Sequence, residues 1–370
     1  MSFQPVRLAF SLLTTLMSVA VLLAVGCAAE PTATPIPLPT LMPEPLVFFP
    51  ADEAPHDAPI EWWYFNGMLR DDKGGEYGYH FVTFQSEGPP GVTPKLLQAS
   101  LGDHRRGVHY TAEAGMLAPE QPQATGVDAE TGGWRMTGDG EGYEMRFGFD
   151  TDGSSIALEL RAVPQREPVL HGGTGLVHMG PEAGSTYYYS RTRLDVTGWI
   201  EDAGGRRPVR GPGWMDHQWG EVANARIGWD WASIQFDDGA DLMVAVLFYP
   251  NGLRPVAAHG TYVDPSGAVT YIHPDDLSIT PQGSWASPDT GVVYPMGWQV
   301  EVGWPAMNLE LTPYLEQAEF NSSILGVSYW EGAVSVAGQR DGGPATGWGF
   351  VELVGYDPRQ LEVTPPAPTQ

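Results

Sequence analysis

Short alternating strands, frequent glycine and aspartate turns and almost no helical periodicity make this an all-β chain. The apolar–polar period is two from the first aromatic segment to the last, so each strand has one buried and one wet face. Composition agrees: 46 glycines and 34 prolines are more than long helices tolerate, and 13 tryptophans suit aromatic cores. Strands this short and closely spaced build sandwiches or barrels, and two tandem antiparallel β-barrels fit a chain of 370 residues best.

The first residues stand outside that architecture. Arg7 precedes an apolar run from Leu8 to Gly26, a basic n-region followed by an apolar h-region. The run ends Leu23-Ala24-Val25-Gly26-Cys27, which resembles the lipobox of bacterial lipoproteins, although Ala24 stands where leucine is commoner. The resemblance implies that Cys27 is lipidated and becomes the first residue. The alternative is an uncleaved anchor, since Leu8 to Gly26 is nearly long enough to span a bilayer. Both readings export the chain and tether it to a membrane through its N-terminus. Cys27 is the sole cysteine, so the chain has no intrachain disulfide and no cysteine-based zinc site. Residues 1–27 are therefore read as signal peptide and lipobox. Residues 28–50 form a linker, because Glu30-Pro31-Thr32-Ala33-Thr34-Pro35-Ile36-Pro37 lacks the N–H groups for ladders and favours polyproline II.

The folded part begins near residue 51. Glu61-Trp62-Trp63-Tyr64-Phe65 opens it with high β-propensity. Tyr77, Tyr79, Phe81 and Thr83 share one face of the next strand, and Glu144–Phe149, Ile156–Arg161 and Leu194–Trp199 alternate cleanly. Asp71-Asp72-Lys73-Gly74-Gly75, Asp150-Thr151-Asp152-Gly153 and Asp202-Ala203-Gly204-Gly205 supply the turns. After Trp231–Phe236 and its Asp237-Asp238-Gly239 turn, Leu242–Phe248 is apolar without a break, which predicts burial on both faces or at a domain interface. Val300–Trp304, Asn308–Leu311 and a late hairpin from Tyr329 to Leu353 complete the strands. Only Tyr314 to Phe320 has any helical period. The expected division is an N-terminal barrel over residues 51–215 and a C-terminal barrel over residues 216–360.

A net charge of −26, from 45 acidic and 19 basic residues, excludes nucleic acid as a partner and does not suit docking on anionic lipid. His171 and His178 have the wrong spacing for a helical zinc pair, Gly172-Gly173-Thr174-Gly175 lacks the lysine of a phosphate loop, and no Gly-x-Ser-x-Gly elbow occurs. No metal and no cofactor are expected. His104 and His109, with Arg105 and Arg106 between them, read as a solvated loop. Glu61 reads first as a strand-start acid capping a loop, with a cavity-facing role as the alternative.

Near the middle of the chain, Gly211-Pro212-Gly213-Trp214-Met215-Asp216-His217-Gln218-Trp219-Gly220 sets an acid and an imidazole between indoles, and Gly228-Trp229-Asp230-Trp231 follows. An ionised Asp beside indole rings either finds a hydrogen-bond partner or shifts its pKa. Together with Glu61-Trp62-Trp63-Tyr64-Phe65, Tyr187-Tyr188-Tyr189-Ser190 and Tyr329-Trp330-Glu331-Gly332-Ala333-Val334, in this order, these segments resemble the lipocalin-like family of carotenoid 1,2-hydratases and AttH-type predicted secreted hydrolases. The resemblance spans about Val47 to Tyr356. It implies two tandem lipocalin-like barrels and an apolar, lipid- or terpenoid-like small molecule bound at or near their junction. It also implies that His217 and Trp219, from the Asp-His-x-Trp segment, matter for turnover. The hydratases carry a Tyr-x-Asp pair on the strand after the Trp-Asp-Trp cluster. Here that pair falls near Val244 and Val246, and no tyrosine or aspartate occurs from Leu242 to Phe248, so the secreted-hydrolase branch is the nearer match.

The residues themselves suit acid chemistry. Hydrating an alkene needs a strong acid beside carbon, and a carboxyl in an apolar pocket stays protonated. Indole faces stabilise the cation that forms. The expected catalytic set is His217 and Trp219 lining the cavity, with Asp230 orienting the ring or polarising a water. Trp62, Trp63, Tyr64, Trp214, Asp216, Trp229 and Trp231 are expected to bind ligand. Two other readings stay open: a non-catalytic carrier of a lipid or terpenoid, and a structural cell-surface module.

Overall fold

The computed structural model describes residues 44–359 apart from 122–123, 152, 223–226 and 251–252; the expected leader, Cys27 and most of the proline-rich linker lie outside the described residues. The first sheet holds β1 (Ile60–Asp71), β2 (Glu76–Ser86), β3 (Val92–Asp103), β4 (Val108–Pro119), β5 (Val127–Thr131), β6 (Trp134–Gly138), β7 (Tyr143–Thr151), β8 (Ser154–Pro164), β9 (Val169–Leu170), β10 (Leu176–Gly180), β11 (Gly184–Asp202) and β12 (Gly205–Gly220). Its order is β4-β3-β2-β1-β12-β11-β8-β7-β6-β5, with β9 and β10 added on β11. The second sheet holds β13 (Gly228–Phe236), β14 (Asp241–Tyr249), β15 (Arg254–Val263), β16 (Val269–Ile272), β17 (Leu277–Ala286), β18 (Val293–Val302), β19 (Met307–Pro313), β20 (Glu319–Asn321), β21 (Ser328–Arg340) and β22 (Gly343–Val354). Its order is β16-β15-β14-β13-β22-β21-β19-β18-β17, with β20 on β21. This is the all-β, lipocalin-like pair that the sequence predicts. Each sheet curls around a core of its own, and the two end strands of each path are not laddered to one another.

The predicted turns form for local reasons. Between β1 and β2, Gly74 takes a φ of 81° that side chains disfavour, and Asp71 Oδ1 accepts the N–H groups of Lys73 and Gly75. Tyr314 to Phe320 is not helical: it ends in β20, and the Trp330 indole donates to the carbonyl of Glu316 at 2.6 Å. The expected boundary at 215/216 cuts through β12. The chain leaves the first sheet at Gly220 and enters the second at Gly228, because β12 is laddered to β1 and β11 as far as Gly220.

Alternation sorts side chains into three cores. Trp63, Phe65, Tyr79, Phe81 and Met215 fill the first sheet; Ile234, Leu242, Val244, Trp330 and Leu353 fill the second. Tyr64, Met68, Trp214, Trp231, Met243 and Phe350 form a third core between the sheets. Each large apolar side chain buried there contributes on the order of 1.5–3 kcal/mol. The unbroken apolar run of β14 follows from this: Leu242 and Val244 enter the second core while Met243, Ala245 and Leu247 enter the third. Polar ties cross the same junction. Gln235 Nε2 donates to the carbonyls of Thr192 and Gly213 at 2.7 Å each, and Asp241 meets Arg166 at 2.7 Å and Arg193 at 2.9 Å.

Candidate functional site

Strand period decides what each motif residue can touch. On β12, Trp214 and Asp216 point into the junction, while Met215, His217 and Trp219 point into the first core. The ladder keeps these sides apart: Tyr64 of β1 lies opposite Asp216, and Trp63 lies opposite His217. On β13, Trp229 and Trp231 face the junction, whereas Asp230 turns away and accepts a hydrogen bond from Tyr356 at 2.7 Å.

The junction contains a cavity of about 270 Å³. Its walls are largely apolar and aromatic, with Trp62, Tyr64, Tyr188, Trp229 and Trp231 among them, and three carboxyls enter it: Asp216, Glu331 and Glu352. Asp216 accepts hydrogen bonds from Tyr188 at 2.8 Å, from Trp214 Nε1 at 2.6 Å and from Ser190 at 2.5 Å. Ser190 is in turn held by His171, which also reaches Thr261 in the second sheet. Glu331 is bonded by the Tyr64 hydroxyl and lies 3.0 Å from His80 Nδ1. Glu352 accepts from Trp229 Nε1 at 2.9 Å.

Among the described residues, no lysine or arginine pairs with these three acids to offset their burial. Burial raises Asp216 to about 7 against the pull of its three donors, and raises Glu352 to about 7. Glu331 is pushed well above the ordinary glutamate range by burial and then by the charge of Glu352. Those two acids are direct cross-strand partners on β21 and β22. Two carboxylates opposite each other on a buried face cannot both ionise cheaply.

A different network lies on the other side of β1 and β12. Glu61 is fully buried and accepts from His217 Nε2 at 2.7 Å, His56 Nδ1 at 2.7 Å, Gln85 Nε2 at 2.6 Å and the His56 N–H at 2.9 Å. Burial opposes its ionisation, but the two imidazoles outweigh it and hold its pKa below the ordinary value. Tyr189 bonds the second nitrogen of His217 at 3.1 Å, Trp63 stacks on His217, and Trp219 stacks on His56. The ligating atoms of His56, Glu61 and His217 lie within 4.8 Å of one another. Their 2.7 Å contacts are hydrogen bonds, tighter than the roughly 3.3 Å between neighbouring ligands that tetrahedral bonds of about 2.0–2.1 Å to zinc would impose. The cluster therefore reads as a satisfied hydrogen-bond network.

The expectation that His217 and Trp219 line the ligand cavity with Asp230 in support is thus corrected. The period of two sends them to other compartments, and Trp63 goes with His217 into the first core. Trp62, Tyr64, Asp216, Trp229 and Trp231 do line the cavity, and Trp214 anchors Asp216 from beside it. Glu61 is not a loop cap but the buried centre of the His217 network. Sequence reasoning did not single out Glu331 and Glu352. Their signal was the rest of their faces: Tyr329 and Ala333 flank Glu331, and Trp348, Phe350 and Val354 accompany Glu352, so neither face is wet.

A carboxyl whose pKa burial raises, a second acid held by three donors, and indole walls around a small, largely apolar space are the parts of an acid-catalysed addition. Comparison with known proteins places the chain in a family. A family model described as AttH-like matches residues 40–356. Among solved structures the chain is similar to a Nitrosomonas europaea protein assigned as an AttH, with 30% identity over 85% of this chain and 98% of that one, at a TM-score of 0.73. It is also similar to kievitone hydratase from Nectria haematococca, with 17% identity over 85% and 94% of the two chains and a TM-score of 0.66. CghA with Sch210972 gives 14% identity, 80% and 88% coverage and a TM-score of 0.52. The last two likenesses are of fold alone. No curated protein matches the sequence.

Proposed function

The chain belongs to the AttH-like family, and from that premise we propose that it is a hydratase that adds water across a carbon–carbon double bond of an apolar, terpenoid- or lipid-like substrate held at the junction. The observation that carries the reading is the convergence of three carboxyls with raised pKa values, Asp216, Glu331 and Glu352, on one largely apolar cavity. A hydratase among the structural neighbours supports the reaction class.

In this reading Glu331 is the acid, being the carboxyl that burial and a facing acid hold most firmly protonated. Its O–H proton goes to one alkene carbon and leaves a carboxylate. The cation on the other carbon lies against the faces of Trp229 and Trp231, each worth about 0.5–2 kcal/mol. A water then bonds to that carbon and loses a proton to Asp216, whose three donors favour its carboxylate form. The sum is one water added across one double bond. Hydrolysis is the weaker alternative, since no serine or cysteine lines the cavity among the described residues.

The cavity of about 270 Å³ lies just below the usual range of ligand sites, about 300–1,000 Å³. This suits a small alkene, or one end of a longer chain, better than bulk storage of lipid. The test is incubation of purified protein with a panel of terpenoid and polyene alkenes in ¹⁸O-labelled water. A labelled alcohol from the wild type and none from Glu331→Gln is expected. Ligand bound equally by both, with no product from either, would instead make the protein a carrier. We further propose that the chain is exported and tethered through Cys27. Cys27→Ser should move it from membranes to the soluble fraction, and a variant still fully membrane-bound would contradict lipidation.

A further inference from the structure

The hydration cycle leaves Glu331 without its proton while Asp216 holds the one taken from water, so Glu331 must be recharged before the next turnover. Glu331 also lines a second void of about 10 Å³, roughly the space of one water. Its lining includes Glu331, Ser100, His104 and His109. Two glycines make the room. Gly78 and Gly102 are ladder partners on β2 and β3. A Cβ on Gly78 would come within 3.0 Å of His104, and one on Gly102 would press on Leu315 at 3.1 Å.

His104 and His109 were expected in a solvated loop. They are instead half-buried where the first sheet meets the second, His104 directly after β3 and His109 on β4. His104 stacks on Tyr314 with ring centres 4.6 Å apart. Nδ1 of His104 and Nε2 of His109 are closed off from solvent, and neither has a hydrogen-bond partner among the described residues. Buried polar atoms are nearly always paired, by protein or by water. Both imidazoles and the Glu331 carboxyl line this one void of a water's size, and the His104 edge that faces its two glycines is the one carrying Nε2.

We propose that one water occupies this void and, with His104 and His109, forms the route by which Glu331 regains its proton. The step is a relay with nothing oxidised or reduced: an imidazole N–H passes its proton to the water, the water passes one to the Glu331 carboxylate, and the imidazole takes another from the solvent side. Burial lowers both histidines to about 4, so they relay as neutral rings. The other titratable groups around Glu331 are Tyr64, His80, Tyr329 and Glu352, and Glu76 and Asp103 lie near His104.

The proposal rests on Glu331 being protonated, and the experiment separates the two claims. Infrared spectra at pH 7 are recorded for wild type and Glu331→Gln, and the band lost in the variant is assigned to the Glu331 carboxyl. Its shift is then timed after mixing with D₂O. Exchange at Glu331 should slow at least tenfold in His104→Leu/His109→Leu and in Gly102→Ala, which adds a methyl to the lining of the void beside His104 and Leu315 and keeps both rings. The bands of Asp216 and Glu352 should keep their wild-type rates. Unchanged exchange at Glu331 in a folded Gly102→Ala protein would overturn the route, even if the double variant fails to fold. If Glu331→Gln removes no carboxyl band, Glu331 is ionised at pH 7 and the acid reading of the site falls with it.

Discussion

The substitution Asp216→Asn should change how stability depends on pH. Asp216 rises from the ordinary aspartate value of 3.8 to about 7, chiefly through burial. Below pH 3.8 the folded and unfolded chains both hold the proton, and the contribution to stability is fully present. As pH climbs, the unfolded chain releases its proton first, so stability falls until the folded carboxyl also ionises near pH 7. That window spans about three decades of acidity at ~1.4 kcal/mol each, a loss of ~4 kcal/mol. The asparagine of the variant cannot titrate, although its amide oxygen can still accept from Tyr188 or Trp214. The quantity to measure is wild-type minus variant unfolding free energy in urea, followed by tryptophan fluorescence from about pH 4 to about pH 7.5, provided unfolding is a single transition. Asp230 and Asp241, each raised to about 6, titrate in both proteins and cancel. Glu352 does not fully cancel. Part of its rise comes from Asp216, so it titrates lower in the variant, which enlarges the difference. A difference that stays flat within ~1 kcal/mol would mean that Asp216 is an ordinary ionised aspartate and the junction does not hold acids protonated.

Asp241→Ala removes the carboxylate that Arg166 and Arg193 share at the contact between the sheets, while both keep backbone-carbonyl partners, and should cost about 1.5–3 kcal/mol and lower the thermal transition; an unshifted transition in calorimetry would refute this. His217→Ala removes one of the four donors to a buried carboxylate and opens a gap beside Trp63, for a loss of ~3 kcal/mol and a fall in Tm of roughly 6–12 °C. His217→Gln should lose about half as much, and the binding of a cavity ligand to either folded variant should stay near wild type, which a ligand titration checks.

Much of the fold was legible because it is local. Tyr77, Tyr79, Phe81 and Thr83 share a face in the sequence and point the same way in β2, and the unbroken run of β14 announced burial on both sides. The site was less legible because its geometry is set by pairing between distant segments. Nothing in Trp214 to Gly220 says which parity faces the junction; β1 decides it, by laddering Trp63 to His217 and Tyr64 to Asp216. A motif that sets Asp216 next to His217 therefore looks like one site and is two, one on each side of a strand. Glu331 and Glu352 were hidden for the opposite reason. An acid on an alternating strand reads as solvent-facing unless its neighbours two positions away are also weighed.

The bond between Tyr64 and Glu331 joins residues 267 positions apart. A polypeptide made from its N-terminus has Tyr64, Tyr188, Asp216 and Trp231 long before it has β21 and β22. The walls of the cavity thus come off the ribosome first and the proposed proton donor near the end, so a nascent or prematurely terminated chain carries no Glu331 to misplace a proton. A product stopping before Ser328 would lack both acids of the last hairpin and leave β13 without its ladder partner β22. Under the proposed reaction, completeness of synthesis is in this way a condition of reactivity, written into the order of the strands.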